Sequence, residues 1–573
     1  VIIKGLKEVA TQLGIMPDES DSDSSIIREC QANPQDIPMM YRAQVDGRCC
    51  LQYAGSNLHR SQWVQEWVRP KPNLEPCYQY NESEGLDGTI YRVKVAFPFR
   101  LFSNCGQDSI ARPVLGKYGI PFIPGSSVKG VFVRLCISGQ VDQTVKDRVR
   151  KYCGDENNPG ILRFHGAYPI GDWAKRIVDI AYPQQNRQVG TPQIGGETPK
   201  ALISLYQPDM MFEFSSDPLT SEQLKQVGVT LCDALRQGLG GKTSTGYGLP
   251  YLPRNYYDIS VYIKQGQGVT PKLLNGEPEF RSNLFKATLR GHATRLLAGA
   301  CSGDVKRKVD ELFGSTNNPG LLEIYWNDKT LDDWKKSNMY KDFFQVKGDL
   351  NIYLDPKGYP KSMDEAKRAT AKAKDTEFIK LVLQFAYTMG GFGKSWRRVC
   401  HEKFYKATHN TNYKKFIGCH WEADEDWINT IKTTEDLKTF LEEVEKICKI
   451  YYKQPNLSQG LICREAWNKS RVCVYSQVVE QSQIIELFHT DPYAITLAVG
   501  GKERRNSQPT AVSSVWHRML PLPNNQYLEI VTIFHGDRTP WERNNTDQLK
   551  PFIQTIKSVL KITTPTWGNE PNL

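Results

Sequence analysis

The sequence predicts an α+β fold made of tandem ferredoxin-like modules. Two motifs, a helix start and a glycine-rich loop, each occur twice and in the same order, with an Asn-Asn-Pro-Gly turn between them in both copies. Each copy also reads strand, helix, strands, helix, glycine loop, which is the order of a split βαβ sheet.

The helix start is Ser126–Arg134 (SSVKGVFVR), and Ser127-Val128-Lys129-Gly130…Arg134 matches Thr288-Leu289-Arg290-Gly291…Arg295. The turn Gly154–Leu162 (GDENNPGIL) matches Gly314–Leu322 (GSTNNPGLL). The glycine loop Gly238–Gly248 (GLGGKTSTGYG) has its counterpart in Gly390–Arg398 (GGFGKSWRR), where Gly240–Ser244 aligns with Gly391–Ser395. Asn-Asn-Pro-Gly alone is only a good turn; three matches in one order at nearly constant offset make a repeat.

The elements follow in order. Thr89–Phe99 alternates as a strand, and Ser126 or Ser127 can cap the helix after it. Ile161–Phe164 and Leu202–Phe214 read as strands, with Gln184–Lys200 an exposed loop between them and Ser221–Gln237 an apolar-periodic helix. In the second copy Tyr256–Lys264 is a strand, Gln265–Asn283 a loop and Ala287–Ala300 a helix. Leu321–Trp326 and Gln345–Leu354 are strands, Lys361–Lys374 a basic surface helix or linker, and Thr376–Met389 an apolar helix. Residues 406–460 read as helical and charged, followed by strands at Val472–Val479, Ile495–Val499 and Tyr527–Phe534 and a closing helix at Leu549–Leu560. Three units are expected: 1–255 with an N-terminal extension, 256–405, and 406–573 with a helical insertion and a divergent third domain.

Bulk properties narrow the function. A chain of 573 residues exceeds a single core. A net charge of +10 favours an anionic partner. No apolar run of about 18 residues occurs, so no membrane span is expected. The start VIIKGLKEVATQLG lacks the order of a signal peptide, and the 14 cysteines include no CxxC pair; both point to the cytoplasm. Asp18–Ser25 (DESDSDSS) reads as a polar loop.

The glycine loop is not a P-loop: Arg236 stands where the first glycine is needed, and the loop follows a helix rather than a strand. Its small residues leave backbone N–H groups accessible to a phosphodiester, beside Lys242, Thr243, Ser244 and Thr245, with Tyr247 close by. In the second loop Lys394, Arg397 and Arg398 offer charge and Trp396 a stacking surface. Lys129 opposes its own helix dipole, which an anion there would offset. Gly130 reads as a close-packing position. No HExxH or GxSxG occurs, so no catalytic residue is assigned. Cys400, His401, His409, Cys419 and His420 match no zinc spacing, and neither a metal nor a cofactor is expected.

IPGSSVKGVFVR followed by GLGGKTSTGYG resembles the RAMP superfamily of CRISPR systems. Residues 85–255 are similar to the sixth subunit of the Cmr (type III-B) effector complex. Residues 256–573, with YDISVYIK, ATLRGHATRLL and GGFGKSWRR, are similar to its first subunit, so the chain looks like a fusion of the two. GGKERR (Gly500–Arg505) and SSVWHR (Ser513–Arg518) resemble a further, weaker copy of the motifs. The resemblance implies two or three ferredoxin-like (RRM-like) domains in a non-catalytic subunit. That subunit would hold the guide RNA 3′ region and paired single-stranded target RNA beside other effector subunits. The implied RNA contacts are Ser126, Ser127, Lys129 and Arg134; Gly240, Gly241, Lys242, Thr243, Ser244, Thr245 and Tyr247; Arg290 and Arg295; Lys394, Trp396, Arg397 and Arg398; and Lys502, Arg504 and Arg505. A RAMP endoribonuclease and a protein-only scaffold are the alternatives.

Overall fold

The computed structural model describes residues 84–107, 110–114, 121–137, 141–171, 173, 178–181, 200–252, 254, 256–271, 278–301, 304–315, 318, 320–330, 343–405, 417–452, 464–499 and 513–571. The loop expected at Asp18–Ser25, most of the Gln184–Lys200 loop, His409, and Lys502, Arg504 and Arg505 lie outside the described residues.

The first module runs β1 (Gly85–Asp87), β2 (Ile90–Ala96), α1 (Gly125–Ile137), α2 (Gln143–Cys153), β3 (Arg163–Ile170), β4 (Asp209–Ser215) and α3 (Ser221–Leu235). Its antiparallel sheet has the order β1-β2-β4-β3. Alternation sets the two faces. Val93 and Val95 pair with Phe212 and Met210 and are buried, while Arg92 and Lys94 pair on the other face with Glu213 at 2.9 Å and Asp209 at 2.9 Å. Thr220 and Gln223 form a capping box that starts α3.

The second module runs β5 (Ile259–Val269), α4 (Asn283–Ala300), α5 (Val305–Phe313), β6 (Leu322–Asp328), β7 (Phe343–Leu354), α6 (Glu365–Met389) and β8 (Cys419–Ala423), in sheet order β6-β7-β5-β8. After α7 (Thr434–Tyr451), the third contains β9 (Val472–Val479), β10 (Val515–Pro521), β11 (Tyr527–Phe534), α8 (Leu549–Leu560) and β12 (Trp567–Gly568), in order β10-β11-β9-β12. Counted within each module, both orders are 2-3-1-4. In the first module the N-terminal β1 occupies the edge that a fourth strand takes in the other two.

The repeat is structural. Lys129 and Arg290 lie on α1 and α4, the first helix of their modules. Gly154 and Gly314 end α2 and α5 with nearly the same backbone, φ 79°, ψ 171° and φ 82°, ψ 163°.

Several elements differ from expectation. Ser126 and Ser127 lie inside α1 rather than at its cap. The basic segment and the apolar helix after it form one 25-residue helix, α6: Asp364 caps it, no glycine or proline interrupts it, and only the half from Asp375 onward is buried. Strand β5 continues to Val269, into the expected loop. Strand β8 lies in the stretch read as helical, past residue 405 where the second unit was expected to end; its residues are nearly all buried and show no alternation. Tyr493–Ile495 is a short 3₁₀ turn, not a strand. Ser513–Arg518 is no helix start: Val515 begins β10, and Val515 and Trp516 pair with Ile533 and Thr532 of β11.

Tyr80–Val114 and Phe122–Leu573 form one body, in which a single buried cluster joins Phe102 and Tyr247 to Phe285, Trp326, Trp467 and Trp516. No helix among the described residues is long and apolar enough to cross a membrane.

Gly240 tests the stitching of this body. Its φ is +75°, and a Cβ there would sit 2.0 Å from the carbonyl oxygen of Phe102. Gly240→Ala is expected to cost at least about 2 kcal/mol in chemical denaturation.

Candidate nucleic-acid interface

The first glycine loop is a seam between modules. Gly241 N–H donates to Phe102 O at 2.8 Å, Gly248 N–H to Arg100 O at 2.8 Å and Leu239 N–H to Gly248 O at 2.8 Å. Those donors, expected to face a phosphodiester, hold the loop on its own module. On its other side Lys286 of α4 donates to Ser244 Oγ at 2.9 Å and Leu322 O at 2.7 Å. Burial pulls the Lys286 ammonium down to about 7. Thr245 Oγ1 donates to Lys242 O at 2.7 Å. Tyr247 is buried and packs on Phe102, ring centroids 5.4 Å apart, so it is not a stacking platform for a base. Beneath the loop Arg100, fully buried, donates to Glu279 Oε2 at 3.0 Å, which Arg281 also reaches at 2.8 Å.

The second loop is a seam of the same kind. Arg397 is buried and donates to Glu465 at 2.6 and 3.0 Å; Arg295 reaches the same carboxylate at 2.7 Å. Arg398 bonds the carbonyls of Val499 and Val515 and, at 2.6 Å, Ser513 Oγ of the third module. Trp396 packs against His292 and Trp516, each 4.7 Å away between centroids, with Arg295 and Arg397 over its ring. Four expected RNA contacts, Arg295, Trp396, Arg397 and Arg398, are therefore packing and ion-pair residues. Arg290 is a fifth: it staples α4 to α5 through Gly314 O and Asp310.

Of the expected contacts, Ser126, Ser127, Lys129, Gly240, Gly241, Lys242 and Lys394 are exposed. Lys242 lies over the Phe102 ring at 5.1 Å. Four predicted residues come together: Ser126, Lys129, Arg134 and Thr243 line a groove of ≈ 590 Å³ between α1 and the second module. Arg254, Glu323, Tyr353, Asp355 and Lys357 form its opposite side. Sequence reasoning missed these five, because only tertiary packing sets them against α1. Arg254 is ion-paired to Glu323, donates to Arg236 O at 3.2 Å and lies 4.5 Å from the Tyr353 ring centroid. Arg134 donates to Gly238 O, while its Nε has no partner among the described residues.

Gly130 also lines the groove, and a Cβ there would meet nothing within 4 Å. It is therefore not the close-packing glycine expected from sequence. A glycine inside a helix costs about 0.5–1 kcal/mol relative to alanine, and no packing offsets that here.

The described members of the Cys–His cluster hydrogen-bond within the fold. Cys400 N–H donates to Cys419 O at 2.9 Å, His401 Nε2 meets His489 Nε2 at 3.0 Å, and His420 Nε2 meets Glu422 at 2.6 Å. Burial pushes the Cys419 thiol up to about 12 and pulls His401 down to about 4. No group of three or more His, Cys, Asp or Glu that could hold a metal ion occurs among the described residues.

The second seam has a pH signature. Burial alone would raise the Glu465 pKa, but Arg397 and Arg295 outweigh it and hold the carboxylate below its ordinary range. A depressed folded pKa contributes stability above the unfolded value, lost as pH falls through the folded one. Glu465→Ala is expected to cost about 3–5 kcal/mol near neutral pH, because it removes the buried carboxylate that both guanidinium groups share. Wild-type stability should fall more steeply with acidification than that of the variant, in denaturation midpoints compared across pH. Trp396→Ala should likewise cost about 3–5 kcal/mol, read as a lower Tm, and leave the RNA affinity of the folded fraction unchanged.

A model of the RAMP superfamily matches residues 110–250. Among solved structures, the type III-B Cmr-beta bound to cognate target RNA is 22% identical with a TM-score of 0.23; the match covers 28% of this chain and 57% of that one, so the chain spans little over half of it. Cmr6 from Pyrococcus furiosus is 18% identical with a TM-score of 0.20, covering 29% of this chain and 98% of that one. Cmr1 from Pyrococcus furiosus in its apo form is 14% identical with a TM-score of 0.31, covering 54% and 99%. Scores this low carry no functional argument. No curated protein sequence matches the chain. The stretch that matches the RAMP superfamily contains α1, the first glycine loop and one wall of the groove.

Proposed function

We propose that this chain is a non-catalytic RNA-binding subunit of a type III-B CRISPR effector complex in the cytoplasm. It holds the guide RNA 3′ region and the paired target RNA, and works beside other subunits of the complex. The observation that carries the reading is the RAMP match over 110–250, which contains the groove residues Ser126, Lys129, Arg134 and Thr243. The motif resemblance to the sixth and first Cmr subunits extends it to a fusion of the two. The 2-3-1-4 sheets of the second and third modules, with the related first sheet, support three tandem ferredoxin-like units.

A protein-only scaffold is the second reading, favoured by one observation: the first glycine loop spends backbone donors on its own module, and side chains of both loops make contacts between modules. Salt decides between the two. With several phosphates contacted, log K for single-stranded RNA should fall against log salt by about 0.7 per contact. Absence of binding at low salt, with no RNA cross-link anywhere on the chain, selects the scaffold.

A further inference from the structure

We propose that the groove between α1 and the second module holds one nucleotide of single-stranded RNA, its base turned in against Arg254; this rests on the RNA-binding reading above. The volume of ≈ 590 Å³ falls inside the about 300–1,000 Å³ typical of small-ligand sites. Its walls vary along the helix in the way a nucleotide does. Ser126 and Lys129 stand near the start of α1, where the helix dipole also favours an anion. Val133 and Ile137, one turn apart near its end, are 39% and 67% exposed and line the same groove. They offer an apolar wall to a base, and no other described element covers them.

The floor is preformed. The Arg254 guanidinium is held over the Tyr353 ring, 4.5 Å from its centroid, by Glu323 and the Arg236 carbonyl, and arginine guanidinium groups stack unpaired bases. Lys357 also lines the groove and is exposed, and Asp355 lines it as an acceptor for a base N–H. With Arg254 and Glu323 neutralising each other, Lys129, Arg134 and Lys357 outweigh Asp355, so the groove is net positive. Gly130 completes the case: bare backbone faces the groove at a position where a side chain would meet open space. Its use is room for a ligand backbone to approach the helix.

Gly130 also makes a clean test. The full chain is titrated with a labelled oligouridine, and a 4-thiouridine version is cross-linked and mapped. In the wild type the cross-link should fall on residues 125–137 or on Arg254. Gly130→Leu should keep Tm at or above wild type, yet weaken binding about tenfold, the scale of one lost base contact, and remove the cross-link. Lys357→Glu, on an exposed turn of the opposite wall, should weaken binding in the same direction and carries the test if the leucine variant misfolds. If the wild type binds while both variants bind and cross-link as it does, the groove assignment is overturned and the RNA-binding reading stands. If the wild type neither binds nor cross-links, both fall.

Discussion

Glu465, fully enclosed and gripped by Arg295 from α4 and Arg397 from the second glycine loop, fixes how the second and third modules meet. The first seam has the same device: Glu279 lies between Arg100 of the first module and Arg281 of the second. Burying such charges is expensive, and a well-packed apolar cluster of similar volume would often be as stable. What the ion clusters contribute is geometry. A bidentate guanidinium–carboxylate pair tolerates little sliding, so each module is registered on the next. The groove depends on that registration, since one wall is α1 and the other belongs to the second module.

The glycine loops follow from the same constraint. In the first two modules the long helix before the glycine loop, α3 or α6, leads out of the module, and the chain must then enter its neighbour. In the first module the loop does this directly: Gly240 and Gly248 let it press against the carbonyls of Phe102 and Leu239, and no fourth strand follows among the described residues. In the second, Gly391 makes room for Trp421, and the chain returns as β8 before leaving. The first sheet then fills its vacant edge with β1, which precedes β2 in sequence.

Much of the architecture was legible because repetition and alternation are local signals. Strand β2, helix α3 and helix α8 fall where their patterns place them. Strand β8 was not, since a strand buried on both faces has no period of two. The loop side chains misled for a physical reason. An Arg-rich, Trp-containing loop has the same composition whether it meets RNA or a buried glutamate, and only the distant Glu465 decides between them. Arg254, Tyr353 and Lys357 gave no signal at all, because their role depends on a helix more than a hundred residues upstream.

Gly130 and Gly291 show how far a motif can be carried. They occupy the same place in the two helix starts, yet Gly291 is buried in α4 while Gly130 faces open space on α1. The arginines after them diverge in step. Arg295 is sealed beside Glu465, whereas Arg134 stays half-buried at the groove with one nitrogen unpartnered among the described residues. The difference lies in what covers each helix. Trp467 N–H pairs with the Arg295 carbonyl, and its backbone lies against Gly299, so the third module closes over α4. Strand β6 and the turn after β7 reach α1 only far enough to wall a groove. One copy of the repeated helix is thus core, and the other keeps a surface that faces a groove.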